Sequence, residues 1–224
     1  MSEPVLELDG VTDAAGGHFT LSVGPGQLAL IQADDHSLIS RFSEICLGLI
    51  QPITGTARLL GREWRGMPPE AARALRVRVG VVSLGGGWAP HLSVADSVIL
   101  AALTHRVATA DALRDRAAEL CRRFGLPGLP LQRPAGLSTG ELARASCARA
   151  FLTQPALLIL ESPLQGNTIP ELRALLLEAL ADAQPAACLW LTTSPSVWAD
   201  RAMPAAHRHR LGNAGLQDAR RLPA

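Results

Sequence analysis

A chain of 224 residues, 48% of them hydrophobic and 18% charged, is long enough for one compact domain with a full core and too apolar to be disordered. The formal net charge of +1 gives no bulk electrostatic reason to expect nucleic-acid binding. All 21 basic residues are arginines, so no lysine is available to any site. Cys46, Cys121, Cys147 and Cys188 are scattered, with no pair at metal-ligand or redox spacing, and read as reduced thiols inside the elements of a cytosolic protein.

The chain opens at Met1 without a basic start followed by an apolar stretch, so no signal peptide is expected. Val5, Leu6 and Leu8 begin a first strand. Phe19, Leu21 and Val23 alternate in a second, ahead of a turn at 24–26. Leu28 to Ile31 is a short apolar run of the buried parallel kind. A polar loop from Gln32 to Ser37 then leads into a helix with Leu38, Phe42, Ile45 and Leu49 on one stripe. Strand, loop and helix in that order form the frame of a phosphate-binding loop. Residues 56–60 and 77–83 read as strands. Residues 86–135 change character, with glycines and prolines around an amphipathic helix from Ala112 to Phe124. Beyond them follow a helix (Glu141 to Leu152), a strand (Leu157 to Leu160), a helix (Pro170 to Ala183) and a strand (Ala187 to Leu191). Alternating strands and helices predict an α/β fold with a mostly parallel sheet covered on both faces. The apolar runs, such as Ala156 to Leu160, are strand-length and far short of a membrane span.

The most specific stretch is Leu137-Ser138-Thr139-Gly140-Glu141, followed by Arg144, Ala148-Arg149-Ala150, Pro155 and Leu157 to Pro163. It resembles the signature motif and the Walker B strand of ATP-binding-cassette (ABC) ATPases. Leu47 to Gly55 resembles the segment after that family's phosphate-loop helix. Arg78 to Val82 with Pro90 to Val94 resembles its Q-loop strand and the start of its helical lobe, and 62–96 is most similar to the subgroup serving MCE-type lipid transporters. The resemblance implies a RecA-like P-loop NTPase core (1–85 and 136–224), an N-terminal antiparallel β piece and an inserted helical lobe (86–135). It also implies head-to-tail dimers holding ATP between the Walker motifs of one subunit and the signature motif of the other.

Against that pattern the chain departs at several positions. The phosphate loop falls on Ala33-Asp34-Asp35-His36-Ser37-Leu38-Ile39-Ser40, where both motif glycines and the lysine are replaced and only Ser40 keeps its type. Glycine lets such a loop turn its amides around phosphate, and Asp34 and Asp35 bring like charge to the place a polyphosphate would rest. Glu161 stands for the magnesium-linked aspartate and Ser162 for the general base, while Leu84 takes the Q-loop position and Thr193 the switch histidine. A serine hydroxyl takes no proton from water near neutral pH without a partner base. The D-loop falls near Thr168, and no tyrosine exists to stack adenine, leaving His18 or Phe19.

Two readings stay open at the signature: Ser138 touches the γ-phosphate of a partner's ATP, or it caps the helix that follows. Asp34, Asp35 and His36 read as a solvated loop rather than a cation site. Trp88 is either an interface anchor or core. His207 to Arg210 with Arg220 and Arg221 form a basic end that meets anionic headgroups or simply lies exposed.

The resulting expectation is a chain that is no enzyme, without metal or cofactor of its own, ATP and magnesium being met only at a site shared with a partner. Its partners would be an ABC ATPase homologue or a second copy, and a transmembrane permease. Its place would be cytoplasmic, peripheral on the inner face of the cell membrane. A regulatory ABC-fold protein outside transport and a weak transporter ATPase are the alternatives.

Overall fold

The computed structural model describes residues 3–164, 170–183 and 185–219. Thr168, Arg220 and Arg221 lie outside them.

Ten strands form one sheet in the order β5-β4-β1-β2-β10-β9-β3-β8-β7-β6. Strands β3 (Leu28–Ala33), β6 (Val79–Val82), β7 (Leu157–Glu161), β8 (Ala187–Thr192) and β9 (His207–Gly212) run parallel to their neighbours in the β9-β3-β8-β7-β6 half. The other half is antiparallel: β1 (Leu6–Thr12) pairs with β2 (His18–Val23) and with β4 (Thr54–Leu59), and β4 pairs with the short β5 (Arg62–Glu63). The seam between the halves is one parallel pair, Gly215 of β10 (Gly215–Asp218) against His18. Gly215 sits at φ +110°, and a Cβ there would meet the His18 backbone at 1.9 Å, so the seam admits only glycine.

Strands β3, β6, β7 and β8 are largely buried on both faces, which is why they read as apolar runs, whereas β9, rich in His and Arg, is only partly buried. Their side chains alternate between two cores. Leu28, Leu30, Leu158, Leu160, Cys188 and Trp190 face one. Ala29, Ile31, Leu157, Ile159, Leu189 and Leu191 face the other. On the first side lie α3 (Val94–Thr104), α4 (Ala110–Arg123), α5 (Thr139–Phe151) and α6 (Pro170–Asp182). On the second lie α1 (His36–Cys46), α2 (Pro69–Arg76) and the antiparallel strands. A last short helix, α7 (Pro195–Ala199), is capped by Ser194.

Three expectations change. The polar loop of six residues shrinks to two, because β3 continues through Ala33 and α1 begins at His36. Leu49 is not on the buried stripe: α1 ends at Cys46, and Leu49 is 57% exposed beyond it. Phe19 is no adenine platform, since its ring packs 5.6 Å from that of Phe42 inside the core, whereas His18 is exposed. All four cysteines are free and buried.

Candidate functional site

At the C-terminal ends of β3, β6, β7 and β8 the chain turns outward, and the residues singled out at the Walker, Q-loop and switch positions lie at these strand ends, in the loops after them or in the first turns of α1. In open α/β sheets this is the edge where ligands bind.

The first loop does not have the shape of a phosphate cradle. Asp35 is the N-cap of α1, its Oδ1 accepting the Leu38 backbone N–H at 2.9 Å and the Ser37 hydroxyl at 2.7 Å. These two bonds hold its pKa below the usual aspartate value. The cap thus supplies from within the chain the negative charge that a helix N-terminus takes from a ligand. Leu38 and Ile39 then turn inward, 3% and 0% exposed, into the core with Phe42 and Ile45. Ile39 at the lysine position therefore faces the core rather than any ligand. His36 lies in the first turn of α1, so the sequence Asp34-Asp35-His36 is a loop only at its first two residues. As folded, the Ala33–Ser40 segment is a helix entry capped by its own Asp35 and anchored by Leu38 and Ile39.

A buried ion pair braces this helix. The Asp13 carboxylate is 2% exposed and lies 3.0 Å from Arg41 Nε, at an angle too poor for a hydrogen bond. Its other oxygen accepts the N–H groups of Ala15 and Gly17, closing the β1–β2 turn. The two residues lie 28 positions apart, and no sequence signal joins them.

The Walker B and Q-loop positions do come together. Glu161 is 8% exposed, and its Oε2 accepts the Leu84 backbone N–H at 3.0 Å, tying β7 to the loop after β6. Ser162 follows at φ +45°, 7% exposed, with a hydroxyl that has no partner. Leu84, Glu161, Ser162 and Thr139 share a cavity of about 260 Å³, floored by Leu142 and by Ser146, whose buried hydroxyl is also unpartnered. Thr193 is on a separate cavity of about 140 Å³, again with Ser162. The Ala33–Ser40 segment lines neither.

The loop after Leu84 is held by Arg149, part of the stretch after the signature, for which the sequence suggested no such contact. Arg149 of α5 donates to the Gly86 carbonyl at 2.5 Å and lies 4.6 Å from the centre of the Trp88 ring. Burial lowers its pKa from the ordinary guanidinium value. Gly86 has φ +76°, and a Cβ there would lie 2.2 Å from the Trp88 indole nitrogen. Trp88 is thereby packed against the core on the α5 side rather than displayed as a free anchor.

The signature residues lie at the start of α5, exposed except for the half-buried Leu137 and Gly140. Ser138 is the N-cap in a capping box: its Oγ accepts the Glu141 N–H at 3.3 Å, and Glu141 Oε2 accepts the Ser138 N–H at 2.8 Å. The Ser138 hydroxyl also donates to Glu141 Oε2 at 2.7 Å, and these bonds lower the Glu141 pKa. The capping role of Ser138 is therefore present. It leaves the amides of the first turn at an open helix end.

Among the described residues no group of three or more His, Cys, Asp or Glu could hold a metal ion, and no helix is long and apolar enough to cross a membrane.

Comparison with known proteins bears on all of this. Residues 40–165 match the ABC transporter family. The lipoprotein-releasing system ATP-binding protein LolD 1 of Rhodopirellula baltica is 30% identical over 184 residues, covering 80% of this chain and 76% of that protein. The spermidine/putrescine import ATP-binding protein PotA of Methylococcus capsulatus is 32% identical over 66% of this chain, which spans 37% of PotA. The molybdate/tungstate import ATP-binding protein WtpC of Archaeoglobus fulgidus is 32% identical over 65% of this chain, which spans 57% of WtpC. A dimeric bacterial ABC transporter cassette has the same fold, with a TM-score of 0.82 over 94% of this chain and 96% of that one at 18% identity.

These relatives overturn the expectation of a chain that is no enzyme, since each is an ATP-binding protein of an import or releasing system. The physical reason lies in what single positions measure. Ile39 and Ser162 report the chemistry of one loop and one strand end, and say nothing of a site assembled from two chains.

Proposed function

The chain belongs to the ABC transporter family, and on that premise we propose that it is a nucleotide-binding subunit of a membrane transport complex, paired head to tail with a second ABC ATPase chain or with itself. The pair sits on a permease at the inner face of the membrane, which supplies the spanning segments that no described helix here provides. ATP is held at a site shared by two chains, and this chain's stronger contribution to it is the start of α5.

One observation carries the reading. Ser138, Thr139 and Glu141 are exposed at the N-terminus of a 13-residue helix whose first-turn amides and dipole suit an anion. The Ser138 hydroxyl, now bonded to Glu141, turns to a γ-phosphate oxygen when the exposed Glu141 side chain swings into solvent. By contrast, α1 already carries its own capping carboxylate at Asp35. The Ala33–Ser40 segment is thus the weaker half of the pair, with Ser40, Glu161, Ser162, Leu84 and Thr193 as its remaining polar and steric frame.

The test is ATP hydrolysis by this chain, alone and mixed with a second ABC ATPase chain. Ser138→Arg, which fills the open helix end, lowers the rate of the mixture at least about tenfold while leaving complex formation intact, a loss of about 1.4 kcal/mol of transition-state stabilisation. An unchanged rate with Ser138→Arg sinks the reading.

A further inference from the structure

A further cavity lies at the opposite edge of the sheet from the loops described above. It opens at the N-terminal ends of the parallel strands, beside Pro25 before β3, Arg78 before β6, Ala156 before β7 and Ala186 before β8. Strands of four to six residues separate the two edges by roughly 15 Å at about 3.3 Å per residue.

Its volume is about 530 Å³, within the range that takes a small organic ligand. The walls come from two parts of the molecule. Helix α4 gives Arg116, Leu120 and Arg123, the core gives Phe151 and Ala179, and the exposed end of α6 gives Asp182. Leu120, Phe151 and Ala179 make the interior apolar. Three guanidinium groups stand around it: Arg123 is bound to Asp182 at 2.5 Å, while Arg78 and Arg116 have no acidic partner among the described residues. The cavity is therefore an apolar hollow whose wall carries two positive charges without an acidic partner among the described residues. Water is a poor occupant of the apolar part, and an inorganic anion on the charged wall would leave that part unfilled.

We propose that this cavity binds an anionic amphiphile, a carboxylate on an alkyl or aryl body, whose head is held by Arg78 and Arg116 and whose body lies along Leu120, Phe151 and Ala179. The planar fork of a guanidinium donates two parallel N–H bonds to a carboxylate, which fixes the head, and burial of the body supplies the rest of the affinity. Such a ligand touches α4 and the core together and so ties the two. The inference is independent of the proposed nucleotide role, because no residue of it lies at the loop edge of the sheet.

Calorimetric titration of the purified chain with decanoate tests this, with acetate as the head alone and decanol as the body alone. Decanoate binds at one site with a Kd of about 100 µM, and acetate and decanol bind at least about tenfold more weakly. Arg78→Glu and Arg116→Glu, both on exposed or half-exposed positions, each weaken decanoate at least about tenfold while circular dichroism stays unchanged. No binding up to millimolar decanoate overturns the proposal, as does decanol binding as tightly as decanoate. Binding that neither charge reversal weakens also overturns it, because the head would then lie elsewhere.

Discussion

Two helix starts, α1 and α5, face the same kind of task and solve it in opposite ways. Both are entered from a loop, and both are capped by a side-chain oxygen on a backbone N–H. At α1 the cap is a carboxylate, and the next turn sends Leu38 and Ile39 into the core, so cap, helix and core form one unit. At α5 the cap is a hydroxyl, its bonds stay within residues 138–141, and the half-buried Gly140 and exposed Thr139 sit beside it with little packed on them. The same local device is thus fixed by tertiary packing in one place and left open in the other. Only the open one can exchange its own hydrogen bonds for those of a ligand without disturbing the core.

The sharpest way to break the comparison is a lysine at each start. Ile39→Lys buries an unpaired charge in the core and lowers stability by at least about 3 kcal/mol in urea unfolding. Thr139→Lys, in solvent, costs less than about 1 kcal/mol, mostly through the helix dipole. Equal losses would mean that the α1 entry is as open as that of α5.

The ion pair under α1 comes next. Asp13→Ala removes two backbone hydrogen bonds and leaves Arg41 facing a buried gap, lowering stability by about 2 kcal/mol. A loss below about 0.5 kcal/mol would show that the β1–β2 turn does not brace the helix.

The caps themselves have smaller effects. Asp35→Ala lowers Tm by about 3 °C, while Asp35→Asn, which still caps, changes it by less than about 1 °C. Ser138→Ala and Glu141→Ala each lower Tm by about 2 °C, and the double variant by less than the sum, since each side chain needs the other for its bonds.

The smallest effect is in pH. His209 of β9 pairs with Ile31 of β3, the strand that leads into α1, and burial lowers its pKa from 6.5, with His207 acting in the same direction and Asp218 opposing. The unfolded chain takes up the proton more readily, so the contribution is full above about pH 6.5 and is lost as pH falls through the lowered folded value. Between pH 7.5 and 5.5 Tm falls by about 2 °C more in the native chain than in His209→Leu. A parallel course of the two melting curves with pH would remove His209 as the cause.

Much of the fold was legible. Apolar runs such as Leu157 to Leu160 marked buried parallel strands, because a strand covered on both faces has no polar side to show. The amphipathic pattern from Ala112 to Phe124 marked α4. The short connection before α1 was not legible. A polar run looks the same whether it wraps a ligand or caps a helix, and only the inward turn of Leu38 and Ile39 separates the two. The expectation of a chain that is no enzyme failed against the ATP-binding relatives, because the residue types at single motif positions do not by themselves fix the activity of the family fold.

The sequence by itself determined the α/β pattern, the family motifs at 137–141 and 157–163 and the absence of any lysine, because these depend on residue type and spacing along the chain. The tertiary structure decided the Asp13–Arg41 pair, the Arg149 clamp on Gly86 and Trp88, the joining of Leu84 to Glu161, and the arginine-walled cavity between α4 and the strand starts. Each of these joins groups from 28 to 77 positions apart or from several elements at once. Such groups meet only after the sheet has ordered its strands, so no local pattern in the chain can announce them.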